Sequence, residues 1–195
     1  MEKNVLVFLA DGFEEIEALT PVDYLRRAGV NVILAATRTS SRNVKGAHEI
    51  TVLADITLDS YLASIGSKLP DAVVVPGGMP GALNISNCNQ ALSLIDAMVD
   101  NKKIVAAICA SPALVLSKTK ALEGKKWTCY PNMETEKDAQ KFACNHLSGI
   151  PFVKDDLVLT GRGPGTAEQF SMELVNMLCG KETADKIKKA AVQRD

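Results

Sequence analysis

The sequence is poor in histidine, in net charge and in long apolar runs. Its two histidines, His48 and His146, have no cysteine or carboxylate at the spacing of a metal site, so neither a metal nor another cofactor is expected. The formal net charge of −1 removes the electrostatic argument for a nucleic-acid partner. No apolar run approaches the ~20 residues that span a bilayer, so no membrane partner is expected.

Cysteine is neither paired nor clustered in this chain. The five cysteines are odd in number and no two have C-x-x-C spacing, which argues against a disulfide framework and a zinc site. The apolar run 5–10 is too short for a signal-peptide core, and Asp11 follows it at once. We therefore predict a cytoplasmic protein in a reducing compartment. The cysteines are Cys88, Cys109, Cys129, Cys144 and Cys179.

Apolar runs alternate with helical patterns along the whole chain. Hydrophobic residues make up 47% and charged residues 23%, which is ordinary for a globular protein, and 195 residues fit one domain, 1–195. The alternation predicts an α/β fold with a mostly parallel sheet and helices on both faces. Predicted strands are 5–10, 30–35, 50–53, 72–75, 104–108 and 126–129, with a hairpin of 152–154 and 157–160. Predicted helices are 14–27, interrupted or kinked at Thr20-Pro21, then 90–100, 112–117, 134–142, 167–178 and 182–192.

Cys109 stands where a buried strand meets a helix start. Strand 104–108 is wholly apolar, and Ser111-Pro112 is typical of a helix N-terminus. The positive end of a helix favours the thiolate, which is the nucleophilic form of cysteine. The arrangement follows the logic of the nucleophile elbow of α/β-hydrolases, although the motif differs. The alternative is a buried structural cysteine, because free cysteine is among the most buried residue types.

Three strand ends are expected to meet at one edge of the sheet, because ligand crevices lie beyond the carboxyl ends of parallel strands. Strands 5–10, 72–75 and 104–108 lead into residues 11–17, residues 76–78 and Cys109, respectively. Gly78 has no Cβ, so its N–H is able to approach a developing oxyanion closely. Glu17 flanks the buried stripe of helix 14–27, where a carboxyl group tends to keep its proton. A protonated glutamate donates a hydrogen bond to a thiolate and serves as general acid and base.

The glycine-rich segment 161–166 follows a strand and precedes a helix. It matches neither G-x-G-x-x-G nor G-K-[ST], and it does not lie in a first βαβ unit. We interpret it as a tight loop near the site and not as a nucleotide site.

Seven short motifs follow one another along almost the whole chain. They are Asp11-Gly12-Phe13-Glu14-Glu15-Ile16-Glu17, Pro21-Val22-Asp23, Arg26-Arg27-Ala28-Gly29, Val75-Pro76-Gly77-Gly78, Ala106-Ala107-Ile108-Cys109-Ala110, Tyr130-Pro131 and Gly161-Arg162-Gly163-Pro164-Gly165-Thr166. In these motifs and their order the chain resembles the ThiJ/PfpI superfamily, and within it the parkinsonism-associated DJ-one branch. The resemblance implies a flavodoxin-like α/β sandwich, with the cysteine on a strand-to-helix elbow, that forms a homodimer.

The resemblance also implies roles for single residues. The nucleophilic, oxidisable cysteine of the family falls on Cys109, and its protonated glutamate falls on Glu17. The backbone donors of its oxyanion pocket fall on Gly78 and Ala110. An arginine near the pocket at the dimer interface falls on Arg27.

Two positions depart from other members of the superfamily. Tyr130 stands where some members have a histidine, so a Cys–His–Glu triad is not expected; proton transfer falls to Glu17, with the phenol of Tyr130 as a candidate helper. Ala110 stands where PfpI-type proteases place a histidine directly after the cysteine, so proteolysis is not expected.

The function implied is a glyoxalase III or deglycase reaction on methylglyoxal-like dicarbonyls and their early adducts, without glutathione. Cys109 would attack the aldehyde, and Glu17 would shuttle a proton between adjacent carbons to give a hydroxy acid such as lactate. The alternative is a redox-sensing, oxidative-stress-response chaperone whose Cys109 is oxidised by peroxide. The thiol serves both functions, so the motifs do not separate them.

Overall fold

The computed structural model describes residues 3–66 and 68–193. Its strands are β1 (Asn4–Leu9), β2 (Asn31–Ala36), β3 (Asn43–Lys45), β4 (Thr51–Leu53), β5 (Ile56–Thr57), β6 (Ala72–Val75), β7 (Ile104–Ile108), β8 (Phe152–Asp155) and β9 (Val158–Gly161). Its α-helices are α1 (Glu15–Arg27), α2 (Leu58–Ile65), α3 (Gly81–Ser86), α4 (Asn89–Asp100), α5 (Ser111–Leu114), α6 (Ala167–Cys179) and α7 (Lys181–Ala190).

Seven strands form one sheet in the order β5-β2-β1-β6-β7-β9-β8. All neighbours are parallel except β8 and β9, which form the predicted hairpin. The register pairs Val75 of β6 with Ala107 of β7, and Ile108 of β7 with Gly161 of β9. The strands β1, β6 and β7 therefore end side by side, as the sequence predicts.

Alternate residues of each central strand point to opposite faces, and both faces are covered. Val5 and Val7 pack in the cluster that contains residues of α1, α6 and α7, whereas Leu6 and Phe8 pack in the cluster that contains residues of α2 and α4. This burial on both sides explains why β1, β6 and β7 have almost continuous apolar sequences. The predicted flavodoxin-like sandwich is confirmed.

Several predicted elements differ from the observed ones. Helix α1 continues through Pro21 without a second start, because Ala18, Val22 and Leu25 hold it in the core. Segment 126–129 contributes only an isolated bridge from Trp127 to residue 146, and segment 134–142 forms 3₁₀ turns. The helix predicted at 112–117 is the short α5 followed by a 3₁₀ turn. Helices α2 and α3 were not predicted, because each is short. Among the described residues, no helix has the length and apolar character needed to cross a bilayer.

Candidate active site

The turn after β7 holds Cys109 in a strained backbone conformation. Its φ is 65°, in the left-handed region that non-glycine residues rarely adopt. The N–H of Cys109 donates to the carbonyl of Gly161 at 2.9 Å, and its carbonyl accepts from the N–H of Tyr130 at 2.8 Å. The side chain is 9% exposed. Two neighbouring segments therefore fix the main chain of Cys109, and the thiol keeps a narrow path to solvent.

Two backbone donors lie at the sulfur. The N–H groups of Gly78 and Ala110 both hydrogen-bond to the thiol of Cys109. Gly78 has a φ of 86°, and a Cβ there would lie 2.3 Å from the backbone nitrogen of Glu14, so only glycine fits. The structure therefore places both sequence-predicted oxyanion donors against the sulfur.

Glu17 lies in the first turn of α1 and has no exposed surface. Its Oε2 accepts from the N–H of Gly77 at 2.8 Å, whereas its buried Oε1 has no hydrogen-bond donor among the described residues. The same side chain interacts with the thiol of Cys109. A carboxyl oxygen without a donor is the natural place for a proton, since a buried bare oxygen would be left unsatisfied.

Burial sets the acidity of both groups. It raises the pKa of Glu17 to about 7; the hydrogen bond to Cys109 opposes this rise, and the negative charge of Glu14 adds to it. Burial also raises the pKa of the Cys109 thiol, and the Glu17 carboxylate adds to that rise, while the N–H groups of Gly78 and Ala110 lower it. The carboxyl group of Glu17 and the thiol of Cys109 are thus buried together and titrate as a coupled pair. The pair keeps one proton at a pH at which an isolated glutamate would have lost its own.

The expected lowering of the thiol pKa by a helix end is not what the structure shows. Helix α5 has four residues, too few for a substantial dipole, and the hydroxyl of Ser111 does not cap it. That hydroxyl donates to the carbonyl of Pro76 at 2.6 Å and ties the turn after β7 to the end of β6. The groups that lower the thiol pKa in the structure are therefore the backbone N–H groups of Gly78 and Ala110.

The other two sequence-predicted residues lie farther from the sulfur. Tyr130 touches Cys109 through its main chain, and its half-exposed ring packs beside Gly163. Arg27 lies ten residues after Glu17 on the same helix, about 15 Å along the axis, and pairs with Asp23 at 2.5 Å on the surface. Within one chain the structure does not bring Arg27 to the site.

Two residues that sequence reasoning did not assign complete the site. A Cβ on Gly77 would lie 2.7 Å from both the Cβ of Cys109 and Oε2 of Glu17, so glycine is required where the two meet. Glu14 is the N-cap of α1, and its Oε2 accepts from the N–H of Glu17 at 2.7 Å. In the sequence, the adjacent glycines 77 and 78 were the available indication for Gly77. A carboxylate three residues before Glu17 was the available indication for the N-cap.

Side chains with metal-ligating atoms also meet, contrary to the expectation from their spacing. Among the described residues two groups have such atoms within 4.8 Å of one another. They are Cys129, Glu134 and His146, and Glu14, Glu15 and His48. The fold brings these residues together from distant positions, which sequence spacing does not reveal.

Comparisons with known proteins agree with this geometry. Residues 3–177 match the model of the DJ-1/PfpI family. The chain is 37% identical over 185 residues to protein DJ-1 homolog A of Arabidopsis thaliana, covering 95% of the chain but only 45% of that relative, so it spans a little under half of the relative's length. It is 29% identical over 189 residues to the glutathione-independent glyoxalase DJR-1.2 of Caenorhabditis elegans, covering 96% of the chain and 95% of that protein.

A solved structure gives the same result in three dimensions. Protein dj-1beta of Drosophila melanogaster is 34% identical over 192 residues, covering 97% of the chain and 96% of that protein. Its crystal structure matches with a TM-score of 0.88 at 32% identity and covers both chains completely. The cysteine elbow, the buried glutamate and the sheet order are thus accompanied by similarity over the whole length, and the chain belongs to the DJ-1/PfpI family.

Proposed function

We propose that the protein converts methylglyoxal-like dicarbonyls, and their early adducts, into hydroxy acids without glutathione. The observation that carries the proposal is the pairing of Cys109 with a wholly buried Glu17 whose pKa is raised to about 7. Such a group holds a proton near neutral pH and is also able to release it, which suits a general acid and base. The glyoxalase name of the Caenorhabditis elegans relative supports the same reaction.

The reaction begins with the sulfur of Cys109. The thiol passes its proton to Glu17, the thiolate attacks the aldehyde carbon, and the C=O π electrons move to oxygen to give a hemithioacetal alkoxide. The N–H groups of Gly78 and Ala110 that lie at the sulfur are placed to stabilise this oxyanion. Glu17 gives its proton to the alkoxide and becomes a carboxylate.

The same carboxylate then carries out the proton shuttle. Glu17 removes the hydrogen of the former aldehyde carbon as a proton and returns it to the neighbouring carbon, so the first carbon is oxidised and the second reduced. The product is a thioester of lactate on Cys109. Water cleaves the C–S bond, giving lactate, a proton and the free thiol, so that methylglyoxal plus water equals lactate plus a proton.

The decisive experiment measures lactate from methylglyoxal in the absence of glutathione. Cys109→Ser should lower turnover by on the order of 10³-fold or more, because it removes the nucleophile. Cys88→Ser, at another buried cysteine in the opposite helical layer, is the matched control and should keep turnover. Equal turnover by wild type and Cys109→Ser would reject the proposal.

The second candidate is a peroxide sensor with chaperone activity. It is favoured by the same two N–H donors, because they and a protonated Glu17 would also hold the oxygens of a sulfinate on Cys109. A protein that forms sulfinate at Cys109 but makes no lactate would support this candidate against the first.

We also propose that the protein works as a homodimer in the cytoplasm. Three apolar residues on α1 and the β3–β4 hairpin are exposed, Ile16 at 55%, Ile50 at 54% and Leu53 at 60%. The N–H of Ile50 donates to Glu15, which joins the hairpin to the start of α1 beside Glu17. Light scattering after size-exclusion chromatography should give a dimer, and Ile16→Glu with Ile50→Glu should give a monomer; a monomeric wild type would reject the proposal.

The cytoplasmic location is proposed because a thiol that must stay reduced suits the reducing cytosol.

A further inference from the structure

A second cluster of reactive side chains lies apart from the sulfur of Cys109. Sγ of the buried Cys129 lies 3.7 Å from Nε2 of His146 and 3.9 Å from Oε2 of Glu134. Both contacts are long, weak hydrogen bonds to sulfur. In a tetrahedral zinc site with ordinary Zn–S, Zn–N and Zn–O distances, ligand atoms are about 3.6 Å apart. The two separations from the sulfur are close to this value, and all three ligand atoms lie within 4.8 Å of one another.

The support around the three side chains favours a prebuilt site. The ring of His146 packs against Trp127 with centroids 4.8 Å apart, and the Trp127 Nε1–H donates to the carbonyl of Phe142 at 2.9 Å. The backbone of Leu147 donates to Trp127 at 2.8 Å, which holds the segment after His146. The backbone N–H of Glu134 also hydrogen-bonds to the sulfur of Cys129. Partners of this kind orient metal ligands and tune their affinity.

The other cluster, Glu14, Glu15 and His48, is a weaker candidate. Nδ1 of His48 already lies 2.8 Å from Glu15, and Glu15 also accepts the backbone N–H of His48. Glu14 is engaged as the N-cap of α1. Its ligand atoms are thus satisfied by one another and by the backbone, and it contains no sulfur.

We propose that Cys129, Glu134 and His146 bind one Zn²⁺ ion, with water as the fourth ligand. A thiolate, an imidazole and a carboxylate form a donor set that suits zinc and not the hard cations Mg²⁺ or Ca²⁺. Binding replaces the thiol proton of Cys129, which passes to solvent. Cys129 directly precedes Tyr130, whose N–H holds the carbonyl of Cys109. The ion would therefore fasten the segment that covers the turn after β7, independently of the reaction proposed for Cys109.

The test uses the full chain, stripped of metal with a chelator, and Zn²⁺ alone as the probe. Cys109→Ser serves as the background, so that the reactive thiol does not contribute to binding. Competition with a chromogenic chelator should show one equivalent of zinc in this background. Adding Cys129→Ser or His146→Gln should weaken binding by about 100-fold or more, since even outer partners of a ligand are worth about 10–100-fold.

Two controls separate the site from general metal binding. Cys144→Ser removes an exposed thiol two residues before His146, and His48→Gln removes the histidine of the other cluster; both should bind zinc as the background does. Co²⁺ should give a thiolate charge-transfer band that disappears in Cys129→Ser. Glu134→Gln is the milder variant if Cys129→Ser does not fold, and it should also weaken binding.

The outcomes are decisive in both directions. Zinc should raise the thermal midpoint of the Cys109→Ser protein but not that of the Cys109→Ser, Cys129→Ser protein. Failure to compete with the chelator, retention of zinc by Cys129→Ser and Glu134→Gln, or loss through Cys144→Ser would each overturn the proposal.

Discussion

Cys109 and Cys129 are both buried thiols beside a carboxyl group, but their surroundings offer different atoms to the sulfur. At Cys109 the neighbours are two backbone N–H donors and the wholly buried Glu17. At Cys129 the side-chain neighbours are an imidazole nitrogen and a carboxylate oxygen at 3.7 and 3.9 Å. Donors stabilise negative charge that develops on sulfur or on an attached oxygen, whereas lone pairs stabilise a cation.

Acidity alone does not distinguish the two thiols. Burial raises the pKa of both, that of Cys129 to about 12. Their fractional exposures are also similar, 9% and 3%. The difference is that Cys109 stands at a strained turn beside Glu17, so the proposal of Cys109 as the reactive thiol rests on the type of neighbouring atom and the backbone conformation.

Removing the carboxyl partner of Cys109 should have the largest effect. Glu17→Leu should lower turnover by about 10³-fold, because it removes the general acid and base. It should raise the thiol pKa if Glu17 is protonated and donates to the sulfur, whereas an ionised Glu17 adds to the rise that burial causes. Glu17→Gln keeps a donor but moves no proton, so it should retain a reactive thiol and still turn over poorly. Thiolate absorbance against pH and lactate formation measure both properties. A lower thiol pKa in Glu17→Leu would mean that Glu17 acts as an ionised neighbour, contrary to its assigned role.

Filling the space between Glu17 and Cys109 should have the next largest effect. In Gly77→Ala the new Cβ would collide with both side chains, and displacement by about 1 Å costs on the order of 10² in turnover. Gly165→Ala is the matched control, because a Cβ there meets no atom of the described residues within 4 Å. Steady-state kinetics and thermal unfolding of the two variants check the contrast; unchanged turnover in Gly77→Ala would show that the close approach is unimportant.

The buried carboxyl group should also make stability depend on pH. The pKa of Glu17 rises from 4.5 to about 7 on folding, and its neighbours Cys109 and Glu14 face the same space. The native state therefore binds more protons, so the stabilisation is fully present below pH 4.5 and is lost as the pH rises through about 7. The loss is about 3 kcal/mol.

Urea unfolding in a Cys109→Ser background measures the pH-dependent stabilisation by Glu17 without interference from titration of the thiol. The free energy of unfolding, relative to the same protein with Glu17→Gln, should fall between pH 4.5 and 8. A flat difference, or one that rises with pH, would contradict burial of a protonated Glu17.

The difference among the cysteines in their oxidation by mild peroxide should be the smallest of the expected effects. Cys109 is only 9% exposed but has donors for an oxidised sulfur, so its sulfinate should form first. Peptide mass spectrometry should find less oxidation at Cys129 and at Cys88, both of which are buried. Cys144 and Cys179 should also follow Cys109. Equal oxidation at all five would show that the local donors do not control reactivity, and first oxidation at the exposed Cys144 would show that exposure does.

Sequence patterns were sufficient to predict the strands and helices that are marked by a local run or repeat of apolar residues. Strands 72–75 and 104–108 were predicted to the residue, because continuous apolar runs bounded by charge or glycine have few alternatives. Segment 126–142 was not, since its single bridge and 3₁₀ turns depend on Trp127 and its distant partners. The meeting of Cys109 with Glu17 followed from strand ends at one edge and from the family motifs.

Contacts across long distances in the chain escaped prediction. Gly77 is required because a side chain there would collide with Glu17 and Cys109, which belong to two other segments. No local sequence pattern indicates such a close approach. The cluster at Cys129 joins residues 129, 134 and 146 through a fold-dependent turn. The acidity of Cys109 was misjudged because Ser111-Pro112 begins a helix of only four residues.

The left-handed backbone of Cys109 also bears on how such a chain evolves. A cysteine held at a φ of 65° costs on the order of 1–3 kcal/mol relative to a relaxed conformation, and glycine would remove most of that cost. Replacement of this cysteine by glycine is therefore a stabilising change that selection for the chemistry would oppose. A lineage released from selection for the chemistry should replace this cysteine with glycine or asparagine early, while the rest of the sheet persists.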